Sequence, residues 1–403
     1  MVNTLDHLTQ LPLFVHYDYW HHSASTIPEQ DKLGIYHALG LNDRIRRIEL
    51  FLPPSILHKA LALIDGNFPI LDCLSLSCSF SVDSGHRLPL TLSKPFLAPN
   101  LRHLSLSGIR LSKRLRALIS TVSLVTLTLR DIQTSSYFRP RLLVARLRSL
   151  PLLEELTITF SIPIPRPSTE RELLGEERAP IILPSLKFLR FCGVGAYLES
   201  LVAQIRVPLL ERLEITLFNQ LAFVLPHLFY LINNPKDFKL SWGSVDFYDD
   251  GLFVSMVPGG LKRPALSLCV KCKPLDWQID CAAQICHALI PTLSGVEELS
   301  LVLDYREGIP SEMRNGAIDS ATWHDLLRSF IGVKKLTIIC DALSEELSRA
   351  LQVVEVGLDP GFLPNLQSIC ANHNLFTSFI DTRQVVGRPV QFYGSQYRYQ
   401  FDW

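Results

Sequence analysis

The apolar residues of this chain fall into a short motif that keeps returning. The stretch Ala98-Pro99-Asn100-Leu101-Arg102-His103-Leu104-Ser105-Leu106 has the outline of Phe68-Pro69-Ile70-Leu71-Asp72-Cys73-Leu74-Ser75-Leu76. It recurs as Leu183-Pro184-Ser185-Leu186-Lys187-Phe188-Leu189-Arg190-Phe191. The skeleton is P-x-L-x-x-L-x-L. With the first apolar residue of each L-x-x-L-x-L taken as its anchor, clear anchors are Ile45, Leu71, Leu101, Leu124, Leu153, Leu186, Leu210, Val296, Val333 and Leu366. Two degenerate anchors, Pro235 and Arg263, precede Phe238/Leu240 and Leu266/Leu268, and successive spacings run from 23 to 37 residues. A proline stands two residues before six of the twelve anchors, at Pro69, Pro99, Pro151, Pro184, Pro208 and Pro364. With 26 prolines in 403 residues, chance would place about one. Proline there stops a helix and biases its neighbour to extended backbone.

Side chains alternate along a strand, so positions +3 and +5 from each anchor share one face and +2, +4 and +6 the other. The first set is Leu, Ile or Phe nearly throughout. The second is small and polar, as at Ser75, Ser77, Ser105, Ser107, Thr126, Thr128, Thr157, Thr159, Glu214 and Thr216. Between strands, segments 55–66, 139–150, 197–206, 281–289, 321–330 and 344–354 carry apolar residues three and four apart, as at Leu57, Ala60, Leu61 and Ile64. Strand–helix units of this kind cannot bury their faces alone, and they stack. The pattern predicts an α/β leucine-rich-repeat solenoid with a parallel sheet on the concave face and helices on the convex face. Position +8 holds Pro53, Ser79, Ile109, Ile132, Ser161, Val194, Phe218 and Asp304 rather than the consensus Asn or Cys. No asparagine ladder is therefore expected, and the horseshoe should be irregular.

The expected organisation is an N-terminal cap at 1–44, about 12 repeat units over 45–371, and a C-terminal cap and tail at 372–403. In the first cap, residues 13–20 read as a strand and 31–40 as a short helix. In the last, a helix near 375–386 is stopped by Gly387 and followed by a short strand near 389–393. Residues 161–180, with Pro163, Pro165, Pro167 and mixed charges, read as a surface insertion. Residues 219–270, with Trp242 and a loop at 246–251, are the least regular part.

Composition narrows the function. Lys plus Arg equals Asp plus Glu at 39 each, which gives no overall pull toward nucleic acid or membrane. No secretory signal and no apolar run long enough to span a bilayer is visible. Nine cysteines without a signal point to reduced thiols inside the cell. Cys269-x-x-Cys272 with Cys281 and Cys286-His287 resembles zinc-ligand spacing. Cys269 falls on a strand, however, and residues five apart on a helix diverge by about 140°, so no metal is expected. No G-x-S-x-G, P-loop or H-E-x-x-H is present, His21-His22 and His58 read as surface or packing residues, and Gly193-Val194-Gly195 reads as a repeat turn. The expectation is a protein that catalyses nothing, uses no cofactor and binds a protein on its open sheet face. Arg130, Glu155, Arg190, Arg212 and Glu214 are the candidate anchors, because they lie on consecutive tight repeats.

The chain resembles the leucine-rich-repeat region of the F-box protein family expanded in mushroom-forming fungi. The resemblance rests on Asn42-Asp43-Arg44-Ile45-Arg46-Arg47-Ile48-Glu49-Leu50, on 191–203, on Pro208-Leu209-Leu210-Glu211-Arg212-Leu213-Glu214-Ile215 with Phe218-Asn219-Gln220-Leu221, on Asp276-Trp277-Gln278 and on Gly387-Arg388-Pro389-Val390. It covers nearly the whole chain in this order, and the F-box itself is not found within it. It implies a substrate receptor of a cullin–RING ubiquitin ligase, with the repeats holding the client and an F-box, where present, docking the ligase adaptor. The other reading is a free-standing scaffold or decoy without ligase recruitment.

Overall fold

The prolines of the recurring motif sit at the second position of β-turns. The N–H of Leu71 donates to the carbonyl of Phe68 at 3.3 Å. The same bond joins Leu101 to Ala98 (3.2 Å), Leu153 to Leu150 (3.3 Å), Leu186 to Leu183 (3.4 Å) and Leu210 to Val207 (3.3 Å). Proline presets the φ that this turn position needs, so it shapes the entry to the strand as well as stopping what precedes it. The residue just before the anchor links one turn to the last. Asn100 Nδ2 donates to Pro69 O at 2.6 Å, Ser123 Oγ to Pro99 O at 3.1 Å, Ser185 Oγ to Pro151 O at 2.8 Å and Asn365 Nδ2 to Ile331 O at 2.8 Å. One residue past the anchor, opposite charges pair: Arg46 with Asp72 at 2.8 Å, Lys187 with Glu154 at 3.0 Å and Lys334 with Glu297 at 2.6 Å. Such exposed pairs contribute at most about 1 kcal/mol each. They align neighbours more than they stabilise them.

The computed structural model describes residues 11–19, 27–64, 66–78, 96–109, 122–132, 138–161, 179–218, 220, 222–233, 240–260, 263–305, 319–357, 362–371 and 374–394. His21-His22, Ser79, Pro235, Phe238, most of the 161–180 insertion and the end from 395 lie outside these. The chain divides into two compact units, Met1–Gly193 with Ser200–Leu210 and Val194–Glu199 with Glu211–Trp403. Among the described residues no helix is long and apolar enough to cross a membrane.

In the first unit the long strands are β1 (Leu13–Asp18), β2 (Ile45–Leu52), β4 (Cys73–Cys78), β6 (His103–Ser107), β7 (Thr126–Ile132), β8 (Glu155–Phe160) and β10 (Phe188–Gly193). They lie side by side in that order, and every pair is parallel. Two small parallel pairs precede the turns, β3 (Gly66–Asn67) with β5 (Phe96–Leu97) and β9 (Ile181–Ile182) with β11 (Ile205–Arg206). The expected register holds residue by residue. Position +3 forms the row Ile48, Leu74, Leu104, Leu127, Leu156 and Leu189, and position +5 the row Leu50, Leu76, Leu106, Leu129, Ile158 and Phe191. All twelve are 2 % exposed or less. Helices α1 (Glu29–Leu39), α2 (Pro54–Leu63), α3 (Pro140–Leu147) and α4 (Gly195–Val202) fill the connections, and the boundary between the units falls within α4.

The second unit departs from all-parallel pairing. Its strands are β12 (Arg212–Phe218), β13 (Leu240–Tyr248), β14 (Gly251–Pro258), β15 (Leu266–Lys271), β16 (Glu298–Asp304), β17 (Lys335–Ile339), β18 (Ser368–Ala371) and β19 (Gln391–Gly394). Their spatial order is β12-β15-β14-β13-β16-β17-β18-β19. The chain enters β13, turns back through the two-residue loop Asp249-Asp250, and lays β14 antiparallel to both β13 and β15. The parallel pairing expected across 45–371 therefore fails at 240–271. The loop expected at 246–251 is the end of β13, a tight hairpin turn and the start of β14.

The anchor assigned to Pro235 is also displaced. Gly243 pairs with Leu299 and Val245 with Leu301, which makes Leu240 the equivalent of the other anchors. Glycine stands at the inward position because Met256 of β14 already occupies that space. A Cβ on Gly243 would lie 2.8 Å from Met256 Sδ. Gly251 opens β14 for a stricter reason, since a Cβ there would meet the Val270 carbonyl oxygen at 2.4 Å. Around this sheet sit α5 (Pro226–Asn233), α6 (Leu275–Ala288), α7 (Ile290–Leu293), α8 (Ser320–Arg328), α9 (Asp341–Gly357) and α10 (Thr377–Val385), with α6, α8, α9 and α10 packed in that order. Helix α6 starts two turns earlier than expected, directly after Pro274. Gly387, at φ +73°, ends α10 as expected, and β19 then pairs with β18.

Candidate protein-binding face

Alternation turns the even positions of the first unit's strands to the face opposite the leucine rows. Register places them in two continuous rows and one broken one. Position +2 runs Arg47, Cys73, His103, Thr126, Glu155, Phe188, and position +4 runs Glu49, Ser75, Ser105, Thr128, Thr157, Arg190. Position +6 runs Phe51, Ser77, Ser107, Arg130 and resumes at Thr159 and Cys192. The middle of the face is short hydroxyl side chains, and the charges gather toward its two ends.

At one end Glu49 is the hub. His16 Nδ1 lies 3.2 Å from its carboxylate, Arg47 Nη1 3.6 Å, and Cys73 Sγ donates to it at 3.8 Å. Burial, and next the Glu49 charge, push the Cys73 thiol up to about 11, so it stays protonated. In the middle His103 Nδ1 and Thr126 Oγ1 are 3.0 Å apart. One edge of this middle stretch is shaped by a bulge in β7. Leu129 pairs with Ile158 and Ile132 with Phe160, so two residues of β7 stand against one of β8. Asp131 takes the left-handed conformation at φ +53°, which Asp tolerates better than most residues. Its carboxylate accepts from Ser107 Oγ, and its N–H donates to Thr159 Oγ1 at 3.2 Å. The bulge leaves Arg130 exposed beside it. Nothing in the residue pattern announced the bulge, because Asp131 reads as an ordinary polar residue between Arg130 and Ile132.

The structure places the five expected anchors in two groups. Arg130, Glu155 and Arg190 lie on the three consecutive strands β7, β8 and β10, and the Arg190 guanidinium sits 5.5 Å from the centre of the Phe188 ring. Arg212 and Glu214 lie together on β12 of the second unit, where Arg212 Nε is 3.6 Å from Glu214 Oε1. This pair already satisfies part of each charge.

The second unit has its own polar row, small beyond its first member: Glu214, Ser267, Ser255, Ser244, Ser300, Thr337 and Cys370 are successive register partners. Next to it Asp246 is 8 % exposed. It accepts from Ser244 Oγ and, at 3.5 Å, from Tyr248 OH. Burial outweighs both bonds and pushes its carboxyl up to about 6, with the Asp304 charge adding to the rise. Ser244 and Asp246 are both buried. A hollow of about 270 Å³ lies alongside, lined by Tyr248, Asp250, Gly251, Leu252, Phe253, Cys269 and Lys271, with Lys271 Nζ 2.7 Å from Asp250.

Asp246 yields a signed expectation. Its carboxyl titrates near 6 when folded and near 3.8 when unfolded. Below about pH 4 both states hold the proton and there is no penalty. As pH rises from 4 to 6 the unfolded chain ionises first and stability falls, and above 6 the full loss remains, on the order of 3 kcal/mol. Asp246→Asn should remove that slope. Urea unfolding at pH 4, 5, 6 and 7 measures it, and parallel curves for variant and parent would rule the burial effect out.

The cysteines with zinc-like spacing differ in their surroundings. None of the nine cysteines is in a disulfide. Cys269 lies on β15 and is partly exposed, whereas Cys272, Cys281 and Cys286 are buried. Cys272 and Cys281 hydrogen-bond to each other, which lowers Cys272 and raises Cys281, and Cys281 Sγ also faces Gln220 O at 3.4 Å. Burial alone pushes the Cys286 thiol up. Among the described residues no group of three or more His, Cys, Asp and Glu is placed to hold a metal ion.

Compared with known proteins, the chain matches no family model and no curated protein.

Proposed function

We propose that the chain is a non-catalytic protein-binding domain of the leucine-rich-repeat type, and that it holds a protein partner on its hydroxyl-lined strand faces. The observation that carries this reading is the register of the first unit. Six successive strands, β2 to β10, bury leucine rows on one side and leave ordered rows of Ser, Thr and scattered charge on the other. Such side chains lose little rotamer freedom on binding. They offer dispersed hydrogen-bonding groups without a converging acid–base pair. The reading needs no metal and no cofactor.

By its resemblance to fungal F-box proteins, the partner is a degradation client and the setting a cullin–RING ligase inside the cell. Nine cysteines outside any disulfide fit a reducing compartment. A paired pull-down tests both levels. Charge reversal at Arg190 and Arg212 is expected to lose the client while leaving the fold intact. Residues 1–403 alone are expected not to retain the ligase adaptor. An unchanged client profile after the double reversal would move the binding site elsewhere. Adaptor bound directly to residues 1–403 would reveal a docking element outside the repeats. A client retained with no ligase component, even from cells expressing a longer chain, would favour the scaffold reading.

A further inference from the structure

Helix α3 carries arginines at both of its ends. Arg139 is its N-cap residue, Arg141 lies in its first turn, and no acidic residue offsets them. Cations at a helix N-terminus oppose the macrodipole, so Arg139 and Arg141 bring no local benefit to folding, whereas Arg146 in the last turn is favoured by it. Pro140, Leu143, Val144 and Leu147 are buried, while Arg139, Arg141, Arg146, Arg148 and Ala145 are exposed and Leu142 is 46 % exposed.

At about 100° per residue, Arg141 and Arg148 share one flank of the solvent face and Arg139 and Arg146 the other, with Leu142 and Ala145 on the crest between. Each pair is seven residues apart, two turns or about 10.5 Å along the axis. Residues 102–148 carry ten Lys and Arg against one acidic residue, Asp131, in a chain that is neutral overall. Arg46, Lys187 and Lys334 meet carboxylates at the entry to a neighbouring strand. Among the described residues the side chains of Arg141 and Arg148 form no ion pair or hydrogen bond.

We propose that this face of α3 docks an acidic amphipathic helix of a partner protein, independently of the strand face. The match is one of repeat. A second helix has the same two-turn spacing, so Glu or Asp at i and i+7 meets two arginines of one flank at once, and an apolar residue between them meets Leu142. Guanidinium and carboxylate pair through two parallel hydrogen bonds, which rewards that fixed spacing. Nucleic acid fits less well, because the described face has no aromatic side chain to stack on bases. A membrane fits less well too, since the helix has its apolar side in the core and leaves a single leucine to insert.

The test uses residues 1–403 and a fluorescent helical peptide with Glu at i and i+7 and Leu between. Anisotropy should show saturable binding that weakens with salt. Arg141→Glu with Arg148→Glu should weaken it at least tenfold, with circular dichroism confirming the fold. A peptide with Arg in place of Glu should bind the reversed variant and not the parent. If the reversed variant fails to fold, Arg141→Gln with Arg148→Gln gives the same comparison without added repulsion. Peptide binding unmoved by either substitution overturns the proposal. Tighter binding of duplex DNA, or of phosphatidylserine vesicles, that is lost on reversal would also overturn it and reassign the face to phosphate.

Discussion

Leu104→Ala should destabilise the first unit by about 2–5 kcal/mol, the cost of a truncated leucine in a site that cannot collapse. Leu104 is 1 % exposed and stands between Leu74 and Leu127 in the +3 row. Its neighbours in that row belong to separate strands, each held by its own main-chain ladder, so none can slide over to fill the space. Ser105 is the control. It is one residue on, on the opposite face, and only partly exposed. Ser105→Ala should stay within about 0.5 kcal/mol. Urea unfolding of both variants reads the difference. Similar losses would mean that the strand register is off by one, because a one-residue slip exchanges the two faces.

A larger loss is expected for Trp323→Ala, about 3–5 kcal/mol. Trp323 is fully buried on α8, whose first turn is capped by Asp319 accepting from the Ala321 N–H at 3.0 Å. Its ring meets Phe247 of β13 edge to face, with centroids 5.8 Å apart. Helix α8 lies between α6 and α9, so the indole ties the middle helix of this layer to the sheet. Its Nε1 has no hydrogen-bond partner among the described residues. Trp323→Phe should therefore cost much less than the alanine variant, because it keeps most of the ring while removing a buried donor that gains nothing. Equal unfolding midpoints for Phe and Ala would show that ring packing against Phe247 does not hold this site.

These two residues differ in how readable they were. The leucine rows were legible because a parallel ladder repeats one local rule. Each anchor fixes positions +3 and +5 without reference to any other strand, and the β-turn proline punctuates the register. The outward Ser and Thr of the candidate face follow from the same alternation, and so does the placing of Arg130, Glu155 and Arg190 on adjacent strands.

What the tertiary structure decided lies where one residue's role depends on another far along the chain. Gly243 takes an inward leucine position because Met256, on a strand running the other way, fills the space, and that substitution hid the true anchor at Leu240. The reversal at Asp249-Asp250 carries only a short-range turn signal, whereas the pairing of β14 with β15 is set by sheet contacts. The same holds for Asp131, whose left-handed turn depends on Ser107 and Thr159 from two other strands. It holds for Asp246 as well, an ordinary carboxylate in the sequence that only burial turns into a group titrating near 6. Period and turn chemistry are local and survive in a single sequence. Volume complementarity and desolvation belong to the assembled sheet, and no window of residues along the chain contains them.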